Sequence, residues 1–200
     1  VTDILADGGQ VAGVRSDKGE FPARAVVLAA GGASWPATGS TGDGYRMAQA
    51  VGHTIVKLRP GLVPLTVKES ELARSMQGVS LKNVSLTFYR CPAEEIGRPQ
   101  SAKKVIDSLQ GEMMLTHFGL GGPITLQMSR AAAEALEQGP VSAAIDLKPA
   151  LKKEQLQARL QRDFDSYSKR AFQNILKELL PQKMIIPLAG LSGIPFEKPG

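Results

Sequence analysis

The sequence predicts an α+β protein whose 200 residues form three successive parts. Short runs rich in β-branched residues, with one short helix, extend to about residue 60, and mostly strand-like segments follow to residue 149. From residue 150 onward, apolar residues recur every three or four positions, which is the spacing of a helix face. We therefore predict three domains, at residues 1–60, 61–149 and 150–200.

The first part predicts strands around a glycine-rich loop. VTDIL and VAGVRS, separated by the turn DGGQ, indicate a β-meander. AVVLAA at 25–30 is a continuous apolar run, which is typical of a strand buried on both faces, and HTIVKL at 53–58 predicts another strand. TGDGYRMAQAVGH between them predicts a helix with Thr41 as its N-cap and Gly52 just past its end.

The second and third parts predict further strands and then helices. Strands are expected in LVPLTV, VSLKNVSLTFYR, GEMMLTHF and PVSAAIDLKP, and an irregular loop or hairpin in the polar stretch 92–110. PITLQMSRAAAEALEQG predicts a helix with Pro123 at its first position. Apolar residues then recur at helical spacing in two segments, first Leu156, Leu160 and Phe164, and then Phe172, Ile175, Leu176 and Leu179. QKMIIPLAGLSGIP predicts a short further helix.

Composition excludes several classes of protein. The single cysteine, Cys91, rules out a disulfide framework within the chain and favours a reducing, cytoplasmic location. The net charge of +5 is modest, and KKEQLQARLQRDFD mixes both signs as a solvated helix face does, so we expect no nucleic-acid partner. We also expect no membrane span, because the uncharged stretches are broken by Gly and Pro. The scattered histidines and carboxylates predict no metal site.

The glycine-rich loop between the predicted strand and helix has two interpretations. It contains GG at 31–32 and GSTGDG at 39–44, but neither G-x-G-x-x-G nor G-x-x-x-x-G-K-[ST] occurs in the chain. The loop could simply turn the chain and cap the helix, with Asp43 as a charge at the helix start. It could instead contact a cofactor. Asp43 would then accept a hydrogen bond from a hydroxyl or ring N–H, because a carboxylate repels phosphate.

These residues carry a family resemblance. AVVLAAGGASWPATGSTGDGYRMAQAVGH resembles the second flavin-contacting segment of two-dinucleotide-domain flavoproteins, although Ala30 stands where threonine is common. More closely, four segments resemble in order the BaiN-like, aminoacetone-oxidase-like family of bacterial FAD-dependent oxidoreductases: GGASWPATGSTGDGY, GHTIVKLRPGLVPL, GEMMLTHFGLGGPITLQMSR and IDLKP. The resemblance covers essentially the whole chain.

The resemblance implies a fold, a cofactor and a reaction. The chain would hold the C-terminal part of a Rossmann-like FAD-binding domain, an inserted barrel-like β-rich domain and a small helical subdomain. The parent would be an enzyme that transfers hydride between a small organic substrate or NAD(P)H and the flavin. Residues implied in FAD contact are Ala30, Gly31, Gly32, Thr41, Gly42 and Asp43; those implied on the substrate side are Thr116, His117 and Gly119.

The family's phosphate-binding glycine motif is absent from these 200 residues. We therefore expect the chain to be the middle of a longer protein, with the remainder of the FAD domain as its partner. Alone, it should bind FAD weakly or not at all and be inactive.

Two further alternatives remain open. His117 could transfer protons, or it could hydrogen-bond to organise the glycine turn in THFGLGGP, and we favour the second. The whole chain could also be a basic binding module of β and helical parts without catalysis of its own.

Overall fold

A computed structural model describes residues 1–167 and 172–194 of the chain. The chain divides into two compact units, the first covering Val1–Leu58 and the second beginning at Arg59. Both helices and strands are present, so the predicted α+β class is confirmed. The predicted helical part at 150–200 includes residues 168–171 and 195–200, which lie outside the described residues.

The first unit begins with the predicted meander. Its strands are β1 (Asp3–Asp7), β2 (Gln10–Ser16) and β3 (Gly19–Pro22), paired antiparallel in chain order. Tight turns connect them, and Gly8 and Gly9 adopt positive φ values of 54° and 80° in the first turn. The sequence-based prediction of a small meander is therefore confirmed.

The strands predicted at 25–30 and 53–58 are not formed, so the described residues do not build a Rossmann-like parallel sheet. Neither segment pairs with any strand in the described part of the chain. Val27 is 90% exposed and Val56 is 80% exposed, whereas the apolar pattern predicts burial on both faces. A parallel strand exists only through hydrogen bonds to its neighbours, so an apolar sequence without such neighbours stays irregular.

Helix α1 (Asp43–Ala50) follows the glycine-rich loop. Its end is a Schellman motif: the Gly52 N–H donates to the Gln49 carbonyl at 3.0 Å, and the His53 N–H donates to the Ala48 carbonyl at 3.0 Å. Gly52 has a φ of +96°, as expected for the residue after a helix end. The predicted role of Gly52 is confirmed.

The second unit is built on an open five-stranded antiparallel sheet in the order β4-β7-β6-β5-β8. The strands are β4 (Leu65–Thr66), β5 (Ser80–Tyr89), β6 (Val105–Leu115), β7 (Gly119–Gly121) and β8 (Ser142–Asp146). The predicted strand LVPLTV is reduced to two residues, and Pro64 beside them has no N–H to give to a ladder.

The stretch at 92–110, predicted as an irregular loop or hairpin, contains both: it connects β5 to its antiparallel neighbour β6 and includes the first residues of β6. Two 3-10 turns, Ala93–Glu95 and Pro99–Lys104, are followed directly by β6 from Val105. Apolar and polar residues alternate in part of VIDSLQ, which is a strand signal, but the polar composition of the whole segment favoured a loop. Because β6 is eleven residues long, it pairs with β5 over most of its length, interrupted by two irregularities in register.

The core of the second unit lies between one face of this sheet and helix α3 (Pro123–Leu136). Val84, Leu86 and Phe88 alternate along β5 and are at most 2% exposed, which confirms the alternation in VSLTFY. Met128 of α3 is completely buried among them. Pro123 occupies the first turn of α3, as predicted.

The chain then becomes helical, as predicted. After helix α2 (Ser70–Ser75) in the loop before β5, the C-terminal helices are α4 (Lys153–Ser166), α5 (Phe172–Ile175) and α6 (Gln182–Ser192). A 3-10 turn, Leu176–Glu178, follows α5, so the second predicted apolar stripe is divided between two elements. No helix in the described residues is long and apolar enough to cross a membrane.

Candidate functional site

The glycine-rich loop is closed onto the start of α1 by one backbone hydrogen bond. The Gly42 N–H donates to the Gly32 carbonyl oxygen at 3.1 Å. Gly42 is the N-cap of α1 with a φ of +83°, so the predicted N-cap, Thr41, is wrong by one residue. The left-handed backbone is the physical reason, because glycine adopts it without the steric cost that threonine would have.

Asp43, the first residue of α1, is held by its neighbours on both carboxylate oxygens. The Thr41 hydroxyl donates to Oδ2 at 2.7 Å, and the Arg46 guanidinium donates to Oδ1 from the next turn. The hydrogen bond from Arg46, followed by the one from Thr41, lowers the pKa of Asp43 below its ordinary value of 3.8. Asp43 is therefore an ionised acceptor at the positive end of α1.

Several glycines of this loop stand where a side chain would meet a neighbour. A Cβ on Gly31, whose φ is +75°, would lie 3.3 Å from the Ser40 Oγ atom. A Cβ on Gly44 would lie 3.3 Å from the Ala30 Cβ atom, so α1 packs directly on the segment before the glycine pair. The six residues predicted to contact FAD thus form one connected cluster around the start of α1.

An apolar cleft of about 300 Å³ opens beside this cluster. Its walls are Val1, Ile4, Val14, Val26–Ala30, Gly39, Asp43 and Met47. This volume is at the lower end of the range for small-molecule pockets, and a mainly apolar lining with one polar group is typical of them. Ala30 and Asp43 are the predicted cofactor residues that line it.

The exposed part of the loop is shaped by the backbone of Trp35. Its carbonyl accepts hydrogen bonds from the Thr38 hydroxyl at 2.9 Å and from the Thr38 N–H at 3.1 Å. The indole itself is exposed, with 65% of the residue accessible. Trp35 therefore organises the loop through its main chain and leaves its ring available on the surface.

The second predicted site, in the second unit, is a tight turn between β6 and β7. The Thr116 Oγ1 atom accepts from the Gly119 N–H at 3.0 Å, and the Thr116 N–H donates to the Gly119 carbonyl at 2.8 Å. Our favoured interpretation of His117 as the organiser of this turn is therefore wrong. Thr116 holds the turn because its hydroxyl reaches the backbone three residues ahead, and exposed His117 packs edge-on against Phe118.

The glycines after this turn are required for close backbone packing. A Cβ on Gly119 would lie 2.1 Å from the Leu65 carbonyl oxygen of β4, and one on Gly122 would lie 2.9 Å from the Met113 Cα atom of β6. Main chain thus packs on main chain at the start of α3, and the turn that presents His117 rests on a rigid base.

Sequence reasoning missed two residues. Arg46 is the ion-pair partner of Asp43, and its i,i+3 spacing on the predicted helix was an available signal. Thr125 is completely buried and its Oγ1 atom has no hydrogen-bond partner within the described residues, which only the tertiary packing reveals.

Comparison with known proteins identifies the class of protein. The family described as "HI0933-like protein barrel and H2TH domain" matches residues 59–199. That match covers the second unit almost completely. The chain therefore belongs to the HI0933-like family.

Three curated relatives resemble the chain over both units. The 3-dehydro-bile acid delta(4,6)-reductase of Clostridium scindens is 31% identical over 182 residues, which cover 90% of this chain and 41% of that protein. The ribosomal RNA dihydrouridine synthases of Haemophilus influenzae and Escherichia coli are 28% and 26% identical, over 83% and 85% of this chain. The chain spans 36% and 37% of those two proteins. It therefore matches about two fifths of the length of each of the three relatives.

Proposed function

We propose that the full-length protein carrying this chain is an FAD-dependent oxidoreductase that reduces a C=C bond in an unsaturated ring. The observation that carries the proposal is the chemistry shared by the relatives' names. A delta(4,6)-reductase and a dihydrouridine synthase both denote the addition of hydrogen to ring double bonds. Flavins are common carriers of hydride for such reactions.

The cluster around α1 fits one part of a flavin. The positive-φ glycines, Gly31 and Gly42, set the path of the loop backbone around the start of α1. Asp43 would accept a hydrogen bond from a ribityl hydroxyl or a ring N–H, and the apolar cleft beside it would receive the adjoining apolar surface. Arg46, whose side chain is 75% exposed, would keep Asp43 ionised without blocking the cleft.

The rest of the FAD domain is the proposed partner of the first unit. Segments 25–30 and 53–58 read as parallel strands in the sequence, yet neither pairs with a strand in the described residues. We propose that strands from the remaining polypeptide pair with them and cover Val56, which does not line the cleft. Hydrogen exchange tests this idea: amides at 25–30 should be protected in the full-length protein and exchange rapidly in the isolated chain, and equal rapid exchange in both would contradict it.

His117 is the proposed source of the proton. In the reaction, the substrate ring gains a hydride at one carbon of its C=C bond and a proton at the other. When bound, FAD would supply the hydride, after its own reduction by NAD(P)H. An exposed imidazole on a rigid turn can deliver a proton to a bound ring. Thr116 and Gly119 would position it.

The experiment separates the two half-reactions in the full-length protein. His117→Gln should lower the rate of substrate reduction by about a hundredfold, the lower end of general acid–base effects, while leaving flavin reduction by NAD(P)H unchanged. Unchanged substrate reduction would remove His117 from the proposal. A full-length protein without flavin would instead reject the proposed function itself.

The ring could belong to a small ketone or to uridine in RNA, and the distribution of charge favours RNA as one substrate. Residues 1–58 carry five basic and five acidic side chains, so the net charge of +5 belongs entirely to residues 59–200. A polyanion would be attracted to such a unit. From the sequence we expect no nucleic-acid partner because charges alternate along the chain, but that pattern does not reveal how they are grouped in space.

A non-catalytic basic binding module is the alternative of a different class. It predicts salt-dependent retention on nucleic acid without flavin and without turnover. The relatives' names, all of which denote enzymes, weigh against it.

A further inference from the structure

Helix α4 carries most of its basic side chains on one flank and two of its three carboxylates on another, while Asp163 lies beside Arg159 on the basic flank. Spacings of three and four residues place one set on the same flank: Lys152 at the N-cap, Gln155, Arg159 and Arg162. Glu154, Gln161 and Asp165 lie on another flank, where the Gln161 amide donates to the Asp165 Oδ1 atom at 2.9 Å. The sequence KKEQLQARLQRDFD looks mixed because it runs through both flanks in turn.

The basic flank faces an open groove of about 710 Å³ along the helix. The groove is lined by Leu151, Gln155, Ala158, Arg159, Arg162 and Asp163. It therefore offers two guanidinium groups, together with the Asp163 carboxylate, whose Oδ2 atom is buried and accepts no hydrogen bond within the described residues. Planar guanidinium groups are well suited to phosphate because they can donate two parallel hydrogen bonds.

Most of this positive charge is not neutralised by the protein. The Asp163 carboxylate lies 3.8 Å from the Arg159 guanidinium and offsets that charge. Within residues 1–167 and 172–194, the side chains of Lys152 and Arg162 have no hydrogen-bond or ion-pair partner, and both are exposed. The Gln155 Oε1 atom accepts from the Lys152 N–H at 2.9 Å, so its amide group can still donate.

We infer that the basic flank of α4, comprising Lys152, Gln155, Arg159 and Arg162, binds the phosphodiester backbone of RNA. The inference rests on the proposal that RNA is a substrate. The flank would hold the strand by its phosphates, independently of base sequence, while reduction takes place elsewhere. Three cations spaced along the flank from Lys152 to Arg162 suit a polymer better than a single phosphate, which one arginine could hold.

The experiment measures binding of single-stranded polyuridylate to the full-length protein by fluorescence anisotropy over a range of salt concentrations. The double variant Lys152→Gln, Arg162→Gln should raise Kd about tenfold and reduce the slope of log Kd against log salt by about 1.4, since each phosphate contact on a single strand contributes about 0.7. The matched control Lys18→Gln, Arg24→Gln removes one lysine and one arginine that are exposed in the first unit, and it should bind like the wild type.

Each other outcome is decisive. An equal loss in both double variants would show a general charge effect and overturn the inference. Unchanged polyuridylate binding, or a loss confined to phosphatidylserine vesicles, would overturn it as well. Flavin content and reduction of a small unsaturated ketone are measured on the same preparations. If RNA binding does not depend on α4 while these activities are intact, only the inference fails; if flavin is missing, the proposed function fails.

Discussion

The Gly42 N–H donates to the Gly32 carbonyl oxygen at 3.1 Å, and this bond joins the glycine pair to the start of α1. It brings together residues ten positions apart and places Asp43 at the edge of an apolar cleft. The bond exists because Gly42 adopts a left-handed backbone. The arrangement of the candidate cofactor site therefore depends on a residue without a side chain.

Replacement of Gly42 should expose this dependence. Gly42→Ala should destabilise the full-length protein by about 1–2 kcal/mol, through backbone strain at φ +83°. It should also lower the flavin content. Gly9→Ala, in the turn between β1 and β2, is the matched control, because φ is +80° there but no atom lies within 4 Å of the added Cβ. Equal flavin loss in both variants would argue against a specific role for the Gly42 bond.

The pairing of β4 with β7 gives a second prediction. Gly119→Ala should destabilise the second unit by about 3 kcal/mol, because its Cβ would lie 2.1 Å from the Leu65 carbonyl oxygen and force the strands apart. Gly61→Ala, with open space around it and no positive φ, should leave the urea midpoint unchanged. A mild effect at Gly119, within about 0.5 kcal/mol, would contradict the described packing.

Two buried hydroxyls on α3 should respond to substitution in opposite directions. Thr125→Val should stabilise the protein by about 1 kcal/mol, because the Oγ1 atom is buried without a hydrogen-bond partner. Ser129→Ala should destabilise it by about 1 kcal/mol or more, because its hydroxyl donates to the Leu126 carbonyl at 2.7 Å and accepts from the Val63 N–H at 3.2 Å. Chemical denaturation measures both, and a destabilised Thr125→Val variant would reveal a partner for that hydroxyl.

The ion pair between Glu95 and Lys104 predicts a dependence of stability on pH. The hydrogen bond from Lys104 lowers the pKa of Glu95 below 4.5, and the same bond raises the pKa of Lys104 above 10.5. The ion pair therefore stabilises the fold fully at pH values between the ordinary pKa of Glu95 and the ordinary pKa of Lys104. Its contribution is lost as the pH falls through the lowered pKa of Glu95 or rises through the raised pKa of Lys104.

The measurement compares urea midpoints of the wild type and Glu95→Gln across this range. The difference should be small, because both side chains are 38% exposed, and it should vanish at both extremes of pH. A difference that persists unchanged below the lowered pKa of Glu95 would show that the charge of Glu95 is not its origin.

Local signals predicted much of this structure. Val84, Leu86 and Phe88 alternate toward the core, Pro123 begins α3 and Gly52 ends α1, because each effect depends on residues close in sequence. The apolar run at 25–30 misled because strand formation depends on a hydrogen-bonded neighbour. Two features depend on contacts that sequence periodicity does not report: the Thr116 hydroxyl accepts from the Gly119 N–H, and the buried Thr125 hydroxyl has no hydrogen-bond partner within the described residues.

The central claim is that the cluster around Asp43 binds flavin, and the flavin content of the full-length protein tests it most directly. Asp43→Ala removes the carboxylate that would accept the flavin hydrogen bond, and it should raise the Kd for FAD at least about tenfold, the equivalent of one charge-assisted hydrogen bond. Bound flavin per polypeptide should therefore fall several-fold when free FAD is held near the Kd of the wild type. Asp17→Ala, which removes an exposed carboxylate from the turn after β2, should retain wild-type flavin content. Full flavin content in Asp43→Ala, with the fold intact, would contradict the claim and leave the glycine-rich loop as a helix cap.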